Sequence, residues 1–154
     1  MTDVNIRKAR LEDLEKLLEF EQAIVEYERP FEETMITEHF NYYDLADLIN
    51  CDDAEVLVAE SNGKLIGSGY AKIKKSLHFL KDENHSFLGF MYVEPDFRGK
   101  GVNKLIIEQL LVWSKNQGMN EIRLTVYDEN SSAVRAYEKM GFSKNIVEMR
   151  MGLD

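Results

Sequence analysis

The chain of 154 residues carries a formal net charge of −9, with 44% apolar and 31% charged residues. This length fits one domain, and the composition predicts a soluble globular protein. The acidic balance argues against nucleic acid as a partner. No apolar run reaches the roughly 18 residues that a membrane helix needs, so we expect no membrane partner. The single cysteine, Cys51, excludes an internal disulfide and favours a reducing, cytoplasmic location.

The negative charge is concentrated at the start of the chain. Residues 1–55 contain 16 acidic and 5 basic side chains, a balance of −11, whereas residues 56–154 contain 12 acidic and 14 basic, a balance of +2. Amphipathic helices with solvated acidic faces account for most of this asymmetry. A functional interpretation stands beside it, in which the acidic part attracts a cation and the remainder tolerates an anion.

Hydrophobic periodicity predicts helices and strands along the whole chain. The first half predicts a strand at 4–9, a helix at 11–27, a break at 28–33, a weaker helix at 37–49 and the two strands of a hairpin at 55–60 and 65–75. The second half predicts a buried strand at 85–93, a helix at 101–116, a strand at 121–127, a short helix at 130–140 that Asn130 caps, and a last strand at 146–153. This order predicts an α/β (α+β) single domain, with a mostly antiparallel sheet flanked by helices.

The most informative segment runs from Met91 to Lys104, where a buried strand ends and a glycine-containing loop opens a helix. A helix N-terminus presents unpaired N–H groups and the positive end of the helix dipole, so such a loop can wrap a phosphate. Gly99 and Gly101 let the backbone come close, and Arg98 and two lysines add positive charge. The spacing fits neither a nucleotide P-loop nor the dinucleotide fingerprint. The segment therefore predicts a site for a different phosphorylated ligand.

Two blocks of the chain resemble motifs of the GNAT acetyltransferases. Arg98-Gly99-Lys100-Gly101 is similar to the acetyl-CoA pyrophosphate loop of that family. The second block, from Asn130 to Phe142, resembles a later motif of the family. The order of strands and helices also agrees, although the first 55 residues match only in topology. Asn103 departs from the usual Gly or Ala of the loop, yet we expect CoA to bind because the preceding backbone N–H groups are unaffected.

The resemblance implies direct transfer of an acetyl group from acetyl-CoA, as cosubstrate, to an amine, with no acyl-enzyme and no metal. The implied CoA-binding residues are Met91, Tyr92, Val93, Arg98, Gly99, Lys100, Gly101, Val102, Asn103, Lys104, Asn130 and Ala133. A backbone N–H near Met91 or Tyr92 would stabilise the oxyanion that develops on the thioester. Tyr137 matches the tyrosine that faces the leaving sulfur. A phenol titrating near ~10 would donate a proton to the thiolate, which makes Tyr137 the implied general acid.

The general base that removes a proton from the amine stays open. Many relatives carry a glutamate inside the strand before the loop, but residues 88–90 contain no carboxylate. The candidates are Glu28, Glu32 and Glu33 after the first helix, His85 at the start of the strand, and a chain of water molecules.

The acidic part of the chain corresponds to the substrate wall of the family. Its carboxylates are accompanied by the aromatic residues Tyr27, Phe31, Tyr42 and Tyr43. Carboxylates and aromatic rings attract cations, so we expect a cationic small molecule or a peptide amine as the acceptor. The alternative is a non-catalytic regulatory module that binds acyl-CoA. The resemblance also implies a homodimer, since strands at the end of the chain often complete a dimer in this family.

Overall fold

The computed structural model describes residues 3–154, and these divide into two units, one ending at Leu124 and one comprising Thr125–Asp154. The elements of the first unit are β1 (Asn5–Lys8), α1 (Leu14–Glu28), α2 (Leu45–Asn50), β2 (Ala54–Ser61), β3 (Lys64–Lys75), β4 (Asn84–Val93), α3 (Val102–Asn116) and β5 (Ile122–Arg123). The second unit contains α4 (Ser131–Lys139). Within residues 3–154, no helix has the length and apolarity needed to cross a membrane.

The five strands form one sheet in the order β1-β2-β3-β4-β5. Strands β1 to β4 pair antiparallel, whereas β5 runs parallel to β4 and pairs with it only at Ser86–Ile122 and Phe87–Arg123. The predicted α/β (α+β) fold, a mixed and mostly antiparallel sheet flanked by helices, is confirmed. That the whole chain is a single domain stays a prediction.

Helices cover both faces of this sheet. Leu17 and Phe20 of α1 are buried in one cluster with Val58 of β2 and Phe90 of β4. On the other face, α3 packs against β3, where buried Ile106 lies over Gly67 and Gly69. Alternation of side chains along the strands separates the two sets. Full burial of each large apolar side chain contributes roughly 1.5–3 kcal/mol, so packing on both faces stabilises the sheet.

The predicted helix over residues 37–49 is wrong in its start, because α2 begins only at Leu45. Asp44 caps this helix, and its side chain accepts a hydrogen bond from the backbone of Asp47 at 3.1 Å. The residues before it are held by α1 instead, where the amide of Gln22 donates to the carbonyl of Phe40 at 2.8 Å. A tertiary hydrogen bond thus replaces the helical hydrogen bonds that the local pattern favours.

The two predicted strands nearest the end of the chain are also corrected. The strand predicted over 121–127 is limited to Ile122–Arg123, and residues 143–154 form no regular secondary structure, so the last predicted strand is wrong. An alternating pattern becomes a strand only where a neighbouring strand accepts and donates its backbone hydrogen bonds. The register of β5 with β4 ends at Phe87–Arg123, and no strand within residues 3–154 pairs with the tail.

Gly89 of β4 leaves room for the ring of Tyr70. A Cβ atom at Gly89 would lie 2.6 Å from the Tyr70 hydroxyl and Cζ atoms, and Tyr70 is buried in the core. We therefore expect Gly89→Ala to lower the free energy of unfolding by about 1–3 kcal/mol, the usual cost of overpacking. Urea denaturation measures the change. Gly152→Ala, whose Cβ would meet no atom within 4 Å, is the control, and equal stability of the two variants would contradict this packing.

Candidate active site

A β-bulge interrupts β4 just before the glycine-containing loop. Ser68 lies opposite Tyr92 and Tyr70 lies opposite Gly89, so two residues of β4, Phe90 and Met91, face a single residue of β3. Phe90 has a φ of 58°, a left-handed conformation that is uncommon for a bulky side chain. Bulges redirect backbone groups and occur frequently beside active sites. The end of β4 thus combines a strained residue with an edge that β5 leaves unpaired beyond Phe87.

Two hydrogen bonds fix the loop that follows β4 where it leaves the strand. The Glu94 N–H donates to the Ile66 carbonyl at 2.8 Å, and the Arg98 Nε donates to the Val93 carbonyl at 2.8 Å. Gly99 and Gly101 have φ values of 74° and 82°, in the region that favours glycine. A Cβ at either position would meet no atom within 4 Å, so the space above this backbone is open.

Helix α3 starts from this loop without a side-chain cap, because its N-cap residue is Gly101. The N–H groups of its first turn are therefore not used by a capping side chain. Lys100 and Lys104 are exposed beside this turn, and Asn103 is half-buried within it. The structure brings the predicted phosphate contacts from residue 98 to residue 104 together in one loop and helical turn. Arg98 also lies over the Tyr92 ring, 5.7 Å from its centre.

The other predicted CoA contacts outside β4, Asn130 and Ala133, and the predicted general acid, Tyr137, belong to the second unit, where Asn130 caps α4 and the other two lie on it. The side chain of Asn130 accepts a hydrogen bond from the Ala133 N–H at 3.4 Å, which confirms the predicted cap. Ala133 and Tyr137 are four residues apart and so share one face of the helix. The Tyr137 ring packs edge-on against Phe142, with ring centres 5.8 Å apart.

The base candidates occupy different places in the first unit. Buried His85 lies at the start of β4, where its Nδ1 is 2.8 Å from the Ser76 hydroxyl. Burial lowers the pKa of His85. Six residues of strand, roughly 20 Å, separate His85 from Met91, so the structure does not bring it to the bulge. The Glu32 carboxylate accepts a hydrogen bond from the Thr34 hydroxyl at 2.7 Å, inside its own turn.

Glu28 is half-buried at the end of α1. Burial raises the pKa of its carboxyl group above the ordinary value of 4.5, and a hydrogen bond from Tyr42 opposes this effect. A carboxylate with a raised pKa is a stronger proton acceptor than an exposed one. Of the predicted candidates, Glu28 therefore has an environment that suits a base.

Tyr43 links Glu28 to the bulge. Its ring centre lies 5.5 Å from that of Phe90 and 5.4 Å from that of Tyr70. Burial raises the pKa of the Tyr43 hydroxyl, the charge of Glu28 raises it further, and a backbone hydrogen bond from Phe90 opposes both effects. The hydroxyl therefore stays protonated at neutral pH, close to Phe90 and within electrostatic range of Glu28.

A second carboxylate of α1, Glu21, was missed by the sequence analysis. It is fully buried, and burial raises its pKa. Its Oε2 accepts a hydrogen bond from the Tyr43 N–H at 2.8 Å, which anchors the segment that carries Tyr43. Glu21 and Glu28 are seven residues apart, on the same helix face as Phe20 and Ile24. In the sequence, a carboxylate at a position of the apolar stripe of α1 is the pattern that could have revealed Glu21 and Glu28.

Comparisons with known proteins give the family of the chain. The model of the Acetyltransferase (GNAT) family matches residues 17–142. Thialysine N-epsilon-acetyltransferase from Bos taurus is 29% identical over 146 residues, which cover 92% of this chain and 85% of that protein. A mutant protein from Bacillus halodurans has a TM-score of 0.87 at 19% identity, with 97% of this chain and 99% of that chain covered. A predicted acetyltransferase from Clostridium acetobutylicum, solved with acetyl-CoA, has a TM-score of 0.77 at 19% identity and coverages of 97% and 96%.

The family model matches more than half of the chain, and the solved structures share the fold of this chain. The chain therefore belongs to the GNAT family, and it is an acetyltransferase.

Proposed function

We propose that this acetyltransferase moves an acetyl group from acetyl-CoA directly to a cationic amine, of a small molecule or of a peptide. One observation carries the proposal: the bulged end of β4 leads directly into an open, basic loop and an uncapped helix. These two features side by side, a redirected backbone donor and a phosphate cradle, suit a thioester with a pyrophosphate tail. The solved neighbour described with acetyl-CoA supports the same cosubstrate.

Different residues bind different parts of the cosubstrate. Met91 to Val93 lie along the pantetheine arm in this proposal, and the loop from Arg98 to Lys104 binds the pyrophosphate through backbone N–H groups and positive charge. Asn130 and Ala133, in the second unit, keep the cosubstrate-binding role that the resemblance implies. Asn103 extends into the first turn of α3, where its amide can donate to a phosphate oxygen.

The order of the chemical steps follows from which groups carry a proton at neutral pH. A cationic amine is protonated at neutral pH and must lose a proton before its nitrogen can attack. Glu28 accepts that proton, the nitrogen attacks the thioester carbonyl carbon, and the oxyanion that forms is held by the Met91 N–H. The carbon–sulfur bond then breaks, and Tyr137 donates its proton to the departing sulfur. The acylated nitrogen gives up its second proton, which restores the Tyr137 hydroxyl through solvent, and Glu28 returns its own proton to solvent. The products are an acetylated amine and the free thiol of CoA.

The preference for a cation rests on the surface at the end of α1. Tyr27 is 52% exposed, and its ring packs edge-on against Phe31 with centres 5.9 Å apart. Glu28 follows Tyr27 in the chain, and Arg29 pairs with Glu26 at 3.3 Å. An exposed aromatic ring at an acidic helix end favours an ammonium group by Coulomb and cation–π attraction. The N-epsilon amine in the name of the Bos taurus relative agrees with such an acceptor.

Release of CoA thiol from acetyl-CoA tests the proposal. The purified protein is mixed with polyamines, amino acids, lysine peptides and neutral arylamines, and we expect turnover with the cationic members at least about tenfold faster than with the arylamines. Equal rates for neutral and cationic amines would contradict the cation preference. Binding of acetyl-CoA without turnover on any amine would instead favour the regulatory module that binds acyl-CoA without catalysis.

A further inference from the structure

We propose that Ser68 is a positioning residue, which aims the backbone N–H of Met91 at the thioester oxygen. This inference rests on the acetyl transfer proposed above. The Ser68 hydroxyl donates a hydrogen bond to the Phe90 carbonyl at 3.0 Å, and the Ser68 side chain is fully buried. The carbonyl of the bulge is thereby held on the side of β3.

The direction of one peptide group fixes the next donor. In a trans peptide the C=O of one residue and the N–H of the following residue point in opposite directions, and no described peptide bond is cis. Since the Phe90 carbonyl points toward β3, the Met91 N–H points away from β3. On that side β4 pairs with β5 only at Ser86 and Phe87, so the Met91 N–H faces the unpaired edge of β4.

The neighbouring N–H groups are already used. The Glu94 N–H donates to the Ile66 carbonyl, and hydrogen-bonded pairs alternate along an antiparallel ladder, so Ser68 and Tyr92 form the next hydrogen-bonded pair. The N–H of Tyr92 is therefore directed at Ser68. The N–H of Phe90 lies toward the Tyr43 hydroxyl, whose pKa it lowers, and the two rings pack with centres 5.5 Å apart. Met91 is the residue of the bulge whose N–H is left for a ligand.

The hydroxyl of Ser68 maintains an arrangement that the chain does not favour by itself. A phenylalanine at a φ of 58° is strained, and a carbonyl buried without a donor is unfavourable. Without the Ser68 hydroxyl, the peptide between Phe90 and Met91 can rotate, which relieves the strained φ of Phe90 and exposes its carbonyl to another donor. The Met91 N–H then no longer points at the thioester oxygen. The carbonyl of bound acetyl-CoA would lose its polarising donor although the CoA cradle is intact.

The test compares Ser68→Ala with the wild-type enzyme, using acetyl-CoA labelled at the carbonyl carbon. In the wild type we expect the infrared carbonyl stretch of bound acetyl-CoA to fall below its frequency in solution. In Ser68→Ala this shift should disappear, and kcat should fall about tenfold or more while KM for acetyl-CoA changes little. Ser68→Thr, which keeps the hydroxyl, should restore both. Ser68→Cys, close in volume and a weak donor, decides the question where the alanine variant does not fold.

Ser86→Ala is the matched control. Ser86 is also a buried serine of the sheet, but its hydroxyl pairs with Ser114 at 2.6 Å, away from the bulge, so its loss should leave the carbonyl stretch unchanged. A full infrared shift together with wild-type kcat in Ser68→Ala would overturn the inference. Failure of the wild type to bind acetyl-CoA would instead overturn the proposed function, so the two failures are distinguishable.

Discussion

Tyr137→Phe is expected to lower kcat about 10²-fold or more and to leave KM for acetyl-CoA nearly unchanged. The substitution removes only the hydroxyl that we assign to the departing sulfur, and general acid catalysis typically contributes 10²–10⁴-fold. The ring is retained, so the edge-on contact with Phe142, at 5.8 Å between centres, is preserved and α4 should remain folded. Steady-state release of CoA thiol with the fastest amine of the panel measures both constants.

Tyr27→Phe serves as the control for this variant. Tyr27 is 52% exposed at the end of α1, and its replacement removes a hydroxyl but keeps the ring that attracts the cation, so kcat should change little. A Tyr137→Phe enzyme with wild-type kcat would show that the sulfur takes its proton from another donor. A raised KM at unchanged kcat would instead assign Tyr137 to binding, because an interaction made equally in ground and transition states affects KM alone.

The fold was predictable where hydrophobic periodicity is long and continuous. The strands β2, β3 and β4 and the helices α1, α3 and α4 lie within a few residues of their predicted bounds, because each buries a regular apolar face. The start of α2 was not predictable, since it depends on the Asp44 cap and on a hydrogen bond from Gln22 to a residue 18 positions away. The last predicted strand failed because alternation does not supply a pairing partner.

The candidate site was likewise predictable from the sequence only in part. The loop at residues 98–104 is contiguous, so its glycines and cations are visible in the sequence. The bulge is not visible, because it depends on the register between β3 and β4 and places a positive φ on phenylalanine rather than on glycine. The grouping of Glu28, Tyr43 and Phe90 arises from packing of the segment before α2 between α1 and β4. Sequence patterns therefore indicated the cosubstrate better than they indicated the groups that act on it.

Glu28→Gln is expected to lower kcat/KM for a cationic amine by about 10²-fold or more at neutral pH, as removal of a general base does. Burial raises the pKa of Glu28 above 4.5, and its carboxylate form is the active one. Activity of the wild type should therefore fall as pH decreases through this raised pKa, and the variant should lack that limb of the profile. Initial rates of thiol release across the pH range measure both effects.

Loss of folding does not explain this expected result. A carboxyl group whose pKa is raised by folding stabilises the protein fully below its unfolded pKa, and this contribution is lost as pH rises through the folded pKa. At neutral pH the ionised Glu28 is therefore no source of stability, and neutral glutamine should leave thermal unfolding unchanged or raise its midpoint. Glu32→Gln is the matched control, since the Glu32 carboxylate is engaged by Thr34 and should not limit the rate.

The acceptor itself provides the sharpest discrimination between Glu28 and a chain of water molecules. An amine of low pKa is already neutral at the assay pH and needs no base before it attacks, whereas a polyamine or lysine side chain must be deprotonated first. The defect of Glu28→Gln should therefore shrink as the pKa of the acceptor falls. A defect of equal size for all acceptors would assign Glu28 to binding of the cation. No defect for any of them would assign proton removal to water, with the acidic surface at the end of α1 acting only to attract the substrate.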